Sequence, residues 1–207
     1  MELAARVDLL VHLMYEPLFN RLRTNETLGY SVDCSARNTN GVMGFCISVT
    51  SATATPLYIE RRATAFVQRF LRTLGRMRRA AFATNVEAAA ANKLLDDHNL
   101  AEEMQRGLVE IESRQYCWDR AEQEAAAIRA VSLAELCAWA KENLLGAARH
   151  ALSVHSHEGS IAQPENQPMA EGGVAVNDAA AFKANLPIFR RADRPMPPLD
   201  ATAASGI

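Results

Sequence analysis

The chain has 207 residues, 49% of them hydrophobic and 22% charged, with a formal net charge of −2. That is enough for one ordinary folded domain plus a tail, and it lacks the charge excess of a disordered chain or of a generic nucleic-acid binder. No apolar run approaches the roughly 20 residues of a membrane span, and the N-terminus lacks the basic-then-apolar order of a secretory leader, so no membrane partner and a cytoplasmic location are expected.

Residues 3–15 place Leu3, Val7, Leu10, Val11 and Met14 at helical spacing. Pro17 then predicts a break and the first turn of a second helix, ending near Gly29 in a left-handed cap. Two strands follow, at 30–34 and 42–49, around an Asn40-Gly41 turn, with Phe45, Ile47 and Val49 on one apolar face. This hairpin leaves Cys34 and Cys46 free to face each other across it. With neither a Cys-x-x-Cys pair nor a leader, all four cysteines are expected as free thiols.

Thr55-Pro56 predicts an N-cap and first helical residue, followed by Ile59, Ala63, Phe66, Val67, Phe70 and Leu74 on one side. An alanine-rich helix is expected over 80–95. Asn99-x-x-Glu102 and Ser132-x-x-Glu135 match the reciprocal cap in which two side chains answer each other's unpaired N–H groups. They predict helices running to about Tyr116 and Leu145, with a shorter helix at 119–130 and a strand at 151–156. The pattern is an α+β fold, helices packed on a mostly antiparallel sheet.

The first 157 residues form this domain. Residues 158–176 read as a linker or loop, 177–190 as a short helix with a Leu-Pro-Ile-Phe anchor, and 191–207 as a disordered tail.

Glu16-Pro-Leu-Phe-Asn-Arg-Leu-Arg-Thr-Asn-Glu-Thr-Leu-Gly-Tyr30 resembles a segment of the last domain of the insulysin, nardilysin and pitrilysin peptidases. Pro56-x-Tyr-x-Glu60-x-Arg62, Gln115-Tyr116-x-Trp-Asp119-Arg120 and Phe182-Lys183-x-x-Leu186-Pro187-x-Phe189 extend the likeness to about residue 190. The resemblance implies one domain of a clamshell that closes on peptide substrates, here without its first strand. It implies zinc on an inverted His-x-x-Glu-His motif in a separate N-terminal half, and that half as a partner. It also implies that Arg23 and Tyr30 hold the substrate backbone and support the transition state.

The chain has no such zinc motif. His98 and Glu102 have the wrong spacing, and the cluster of His150, His155 and His157 reads as a solvated strand end. The expectation is a substrate-binding piece of a zinc metalloendopeptidase that binds no cofactor and lacks activity alone, whether truncated product, fragment or split subunit. The alternative is a non-catalytic binding or assembly protein on the same fold. Glu26 and Gly29 are expected to be structural, Glu26 at a helix end or in an ion pair. Arg69, Arg72, Arg76, Arg78 and Arg79 form a basic cluster that either binds anions or is a solvated helix face; near-neutral net charge disfavours nucleic acid. An unpaired sheet edge and exposed apolar surface would favour self-association.

Overall fold

In the computed structural model, residues 1–39, 42–156 and 174–186 are described. The order is α1 (Glu2–Phe19), a π-helical turn (Asn20–Asn25), β1 (Ser31–Thr39), β2 (Val42–Thr50), α2 (Pro56–Leu74), α3 (Arg79–Lys93), α4 (Leu100–Glu112), α5 (Arg120–Ala130), α6 (Leu133–Leu144) and α7 (Ala179–Ala184). Helices pack on a two-stranded antiparallel sheet, as the patterning implied.

α1 is the centre of the core. It buries Ala5, Val7, Leu9, Leu10, Leu13, Met14 and Leu18, a wider face than the single predicted stripe, because it is covered on one side by the sheet and on another by α3 and α5. Leu3 is left exposed. The sheet contributes Val32 and Cys34 from β1, with Phe45, Ile47 and Val49 packed beside them from β2. From α2 come Phe66, Val67, Phe70 and Leu74, with the Phe66 and Phe70 rings stacked at 5.9 Å. Each such side chain removed from water stabilises the fold by about 1.5–3 kcal/mol.

Pro17 does not break the first helix as expected; it lies inside α1. A proline there removes one backbone bond and crowds the preceding turn. The chain continues by widening, with Glu26 N–H donating to the Arg21 carbonyl at 3.1 Å, five residues back.

Gly29 is not a left-handed cap either. The left-handed residue is Thr27, at φ 47°. A Cβ at position 29 would lie 2.2 Å from the Thr50 carbonyl oxygen, so Gly29 serves close approach to the end of β2.

The hairpin register pairs Cys34 with Ile47 and Ser35 with Cys46. The one-residue offset puts the two cysteines on opposite faces, not facing each other. All four cysteines are free thiols. The Asn40-Gly41 turn lies outside the described residues.

Local signals held well elsewhere. The Thr55 hydroxyl caps α2 by accepting from Tyr58 N–H, with Pro56 as its first residue. Ser132 and Glu135 form the full reciprocal cap of α6. At α4, Asn99 accepts from Glu102 N–H, but Glu102 reaches one residue further back, to His98 N–H. α4 stops at Glu112, short of Tyr116, because Arg114 and Tyr116 turn left-handed at φ 51° and 50°. The N–H groups of Gln115 and Tyr116 fold back on the Glu110 carbonyl.

Residues 151–156 do not form the expected strand. No strand lies beside them among the described residues to satisfy their backbone. Near the C-terminus, Asp178 caps the short helix α7. The segments 158–173 and 191–207, and the Pro-Ile-Phe part of the anchor, lie outside the described residues.

Candidate functional site

The π-helical turn, the start of β1 and the start of α2 meet at one corner. Leu22 and Leu28 anchor the loop in the core, and Leu28 N–H donates to the Leu22 carbonyl at 2.9 Å. Tyr30 N–H donates to the Thr50 carbonyl at 3.0 Å, which fixes Tyr30 at the end of the hairpin.

Against this frame the Arg23 Nε donates to the Tyr30 carbonyl at 3.1 Å. Arg23 and Tyr30 are thus brought together through the main chain of Tyr30. The phenol itself stays 68% exposed. Arg23 has no other hydrogen bond or ion pair among the described residues, so further guanidinium N–H donors remain available.

Behind them Glu26 acts as the corner post. It pairs with Arg21 at 2.6 Å and takes a two-pronged grip from Arg62, at 2.6 and 2.7 Å. The bond from Arg62, against the opposing effect of burial and with the added positive charge of Arg21, holds the Glu26 carboxyl below its ordinary value of 4.5. A lowered carboxyl contributes stability that is complete above the unfolded-state value and is lost as pH falls through the folded one. Glu26→Gln is therefore expected to cost about 1.5 kcal/mol at pH 7. The gap from wild type should narrow as pH drops below about 4.5, where the unfolded chain takes up the proton first, and close as pH falls through the lower folded value. Urea unfolding at pH 7 and pH 3.5 checks this; an equal gap at both would disprove the linkage.

A shallow open cleft beside this corner is lined by Glu26, Thr27, Leu28, Thr53, Ala54, Thr55 and Tyr58. Neither Arg23 nor Tyr30 lines it.

The histidines do not converge. His98 contributes its backbone N–H to the α4 cap. His150 is exposed, and His157 lies outside the described residues. The His155 ring is 3.1 Å from both Ser153 Oγ and Glu60 Oε2, so it rests against α2 instead of at a strand end. Among the described residues, no group of three or more His, Cys, Asp or Glu side chains could hold a metal ion. These residues do not fit a zinc site. Burial pushes the Cys34 thiol up to about 12 and raises Cys117 and Cys137 as well, which is the opposite of nucleophile activation.

Two charged clusters carried no sequence signal. Lys93 bridges Asp8 at 2.7 Å and Glu124 at 2.9 Å, tying α3 to α1 and α5. Burial works against its charge, but the two carboxylates outweigh it and raise its pKa. Glu110, Cys117 and Arg120 form a second, buried cluster. The first joins elements distant in sequence and the second spans the α4–α5 connection, beyond the single helical turn that local periodicity reports.

Residues 9–108 match the family model described as PQQ synthase PqqF-like, C-terminal lobe domain 4. Fold and sequence therefore define a C-terminal lobe domain of peptidase descent. The chain is 32% identical to nardilysin of Rattus norvegicus over 210 residues, covering 88% of this chain and 18% of that protein. It is 29% identical to insulin-degrading enzyme of Homo sapiens over 202 residues, covering 88% and 19%. The crystal structure of pitrilysin shares the fold with a TM-score of 0.69 at 19% identity, covering 91% of this chain and 20% of that one. The chain belongs to the insulysin-like peptidase family and corresponds to its C-terminal domain. It spans about a fifth of the length of the relatives it matches.

Proposed function

We propose that this chain is the substrate-gripping part of a peptide-hydrolysing metalloenzyme, with Arg23 and Tyr30 acting on the peptide backbone. One observation carries the reading: Arg23 is bonded to the Tyr30 carbonyl while the Tyr30 phenol stays exposed. Two strong donors are thereby held on one rigid corner, braced by Glu26 and Arg62. Fixed donors directed at charge that develops on a scissile carbonyl stabilise the transition state more than the ground state. The relatives' printed names support the substrate class, since one of them is an insulin-degrading enzyme.

In this proposal the zinc belongs to a separate N-terminal half, which is the partner, and this chain alone does not turn over peptide. A cytoplasmic setting goes with it, supported by four free thiols. Self-association is supported by α4, whose Leu100, Met104, Leu108 and Ile111 are exposed along one face. No helix of the described residues is long and apolar enough to cross a membrane.

The test is turnover of a fluorogenic peptide by the chain alone and after mixing with a zinc-bearing N-terminal half of a related peptidase. Activity is expected only on mixing. Arg23→Ala and Tyr30→Phe should each then lower kcat/KM by roughly 10- to 100-fold, less than the loss of a fully buried oxyanion donor. Wild-type turnover in both variants would remove the site. Unchanged peptide binding in both, with a stable partner that is not a peptidase, would mark a non-catalytic binding protein.

A further inference from the structure

Residues 61–79 contain seven arginines and no acidic residue, within a chain whose net charge is −2. Only Arg62 is used internally, in its grip on Glu26. The other six, Arg61, Arg69, Arg72, Arg76, Arg78 and Arg79, are all exposed. None of their guanidinium groups makes an ion pair or hydrogen bond among the described residues.

Their placement is ordered. At 100° per residue, Arg61, Arg69 and Arg72 fall within an arc of about 80° on the outer face of α2, opposite its buried Phe66, Val67, Phe70 and Leu74. They extend over about 16 Å of helix. Arg76 follows in the turn after α2, and Arg78 and Arg79 stand at the start of α3.

Helix stability does not account for the last two. Arg78 is the N-cap of α3 and Arg79 its first residue, with no side-chain cap bond and no acid in the first turn. Positive charge there opposes the helix dipole, and like charges stacked along α2 repel each other. Arg78 and Arg79 thus work against the helix they start, which points to an external counter-charge.

We propose that this arginine face is a docking surface for an extended acidic polypeptide segment. Arginine is the side chain whose planar fork meets carboxylates two bonds at a time, and no lysine occurs in the stretch. A stripe of about 16 Å matches about five extended residues. The surface between the arginines is small or polar, with Ala65, Gln68, Thr73, Ala80 and Ala81 exposed. Of the aromatic residues on and beside α2, Phe66, Phe70 and Phe82 are buried and Tyr58 alone is exposed, so successive bases lack the row of rings on which single strands stack. The apolar face of α2 is spent in the core, so no amphipathic face is left to enter a bilayer. The proposal does not depend on the roles given to Arg23 and Tyr30.

The test is fluorescence anisotropy on the full chain with a labelled octa-glutamate peptide. Octa-glutamine, a ten-nucleotide single-stranded DNA and anionic phospholipid vesicles serve as comparison probes at the same salt. Octa-glutamate should bind, weaken as salt rises, and lose at least tenfold in affinity in Arg72→Gln/Arg76→Gln/Arg78→Gln/Arg79→Gln. Octa-glutamine should not bind. If the quadruple variant fails to fold by circular dichroism, Arg61→Gln/Arg69→Gln/Arg72→Gln carries the same expectation on α2 alone. Absence of octa-glutamate binding to the wild-type chain, or equal binding by a folded variant, would overturn the proposal. Tighter binding of the DNA or the vesicles would overturn it too, and would assign the face to that class of partner.

Discussion

Glu110→Ala is expected to destabilise the fold by about 3–5 kcal/mol, the loss seen when one partner of a buried ion pair is removed. Glu110 is 4% exposed and is the buried charged residue among the described ones. Its Oε1 accepts from Arg120 Nε, and its Oε2 accepts from Arg120 Nη2 and Cys117 N–H, both at 2.9 Å. Its own carbonyl accepts from Gln115 and Tyr116 N–H. One residue thus organises the whole α4–α5 connection, including the two left-handed residues Arg114 and Tyr116. Removing the carboxylate leaves the Cys117 N–H without this acceptor and leaves Arg120 facing Glu124 at 3.7 Å, too long for a strong pair.

The variants separate charge from geometry. Glu110→Gln keeps an acceptor oxygen and should cost less than Glu110→Ala. Arg120→Lys keeps the charge but loses the fork, so it should not restore wild-type stability. Urea unfolding at pH 7 measures all three. A Glu110→Ala chain within about 0.5 kcal/mol of wild type, the range of ordinary surface substitutions, would show that the cluster contributes little.

Elements set by local chemistry could be read from the sequence. Thr55-Pro56 and Ser132-x-x-Glu135 specify helix starts through bonds within one turn, and both caps form. Alternation in β2 put Phe45, Ile47 and Val49 on the core side. Misreadings arose where tertiary packing outweighs a local preference. Pro17 is a helix breaker by propensity, but the buried neighbours Met14, Leu18 and Leu22 keep the helix on course through a widened turn. Residues 151–156 have strand-like side chains but no neighbouring strand among the described residues to pair with.

At the candidate site, composition and spacing alone left Arg23 as a surface arginine and Tyr30 as a packed aromatic. The family resemblance singled them out, and the structure adds their mutual bond and the exposure of the phenol. Lys93 with Asp8, and Glu26 with Arg62, are separated by tens of residues. No pattern within a helical turn encodes such contacts.

Gly29→Ala is expected to cost about 3 kcal/mol, at the upper end of ordinary overpacking, because the obstacle is backbone. The added Cβ would meet the Thr50 carbonyl oxygen at 2.2 Å, its carbon at 2.9 Å and Val49 Cγ1 at 3.2 Å. A side chain could rotate away, but the Thr50 carbonyl is held by Tyr30 N–H. Relief requires the 28–30 segment to separate from β2, which breaks that bond and moves the Tyr30 carbonyl away from Arg23. One methyl group should therefore unfold the chain more easily and loosen the candidate site together.

Gly29→Ser places the same Cβ and should behave alike. Thr27→Gly is the contrasting control: Thr27 holds a left-handed φ of 47°, which glycine adopts without strain, so that change should be tolerated. Thermal and urea unfolding measure stability. Peptide turnover after mixing with a zinc-bearing half reads the site. Wild-type stability in Gly29→Ala would mean that β2 yields without cost at Thr50. Lost stability with full turnover would separate the glycine's packing role from the Arg23–Tyr30 corner.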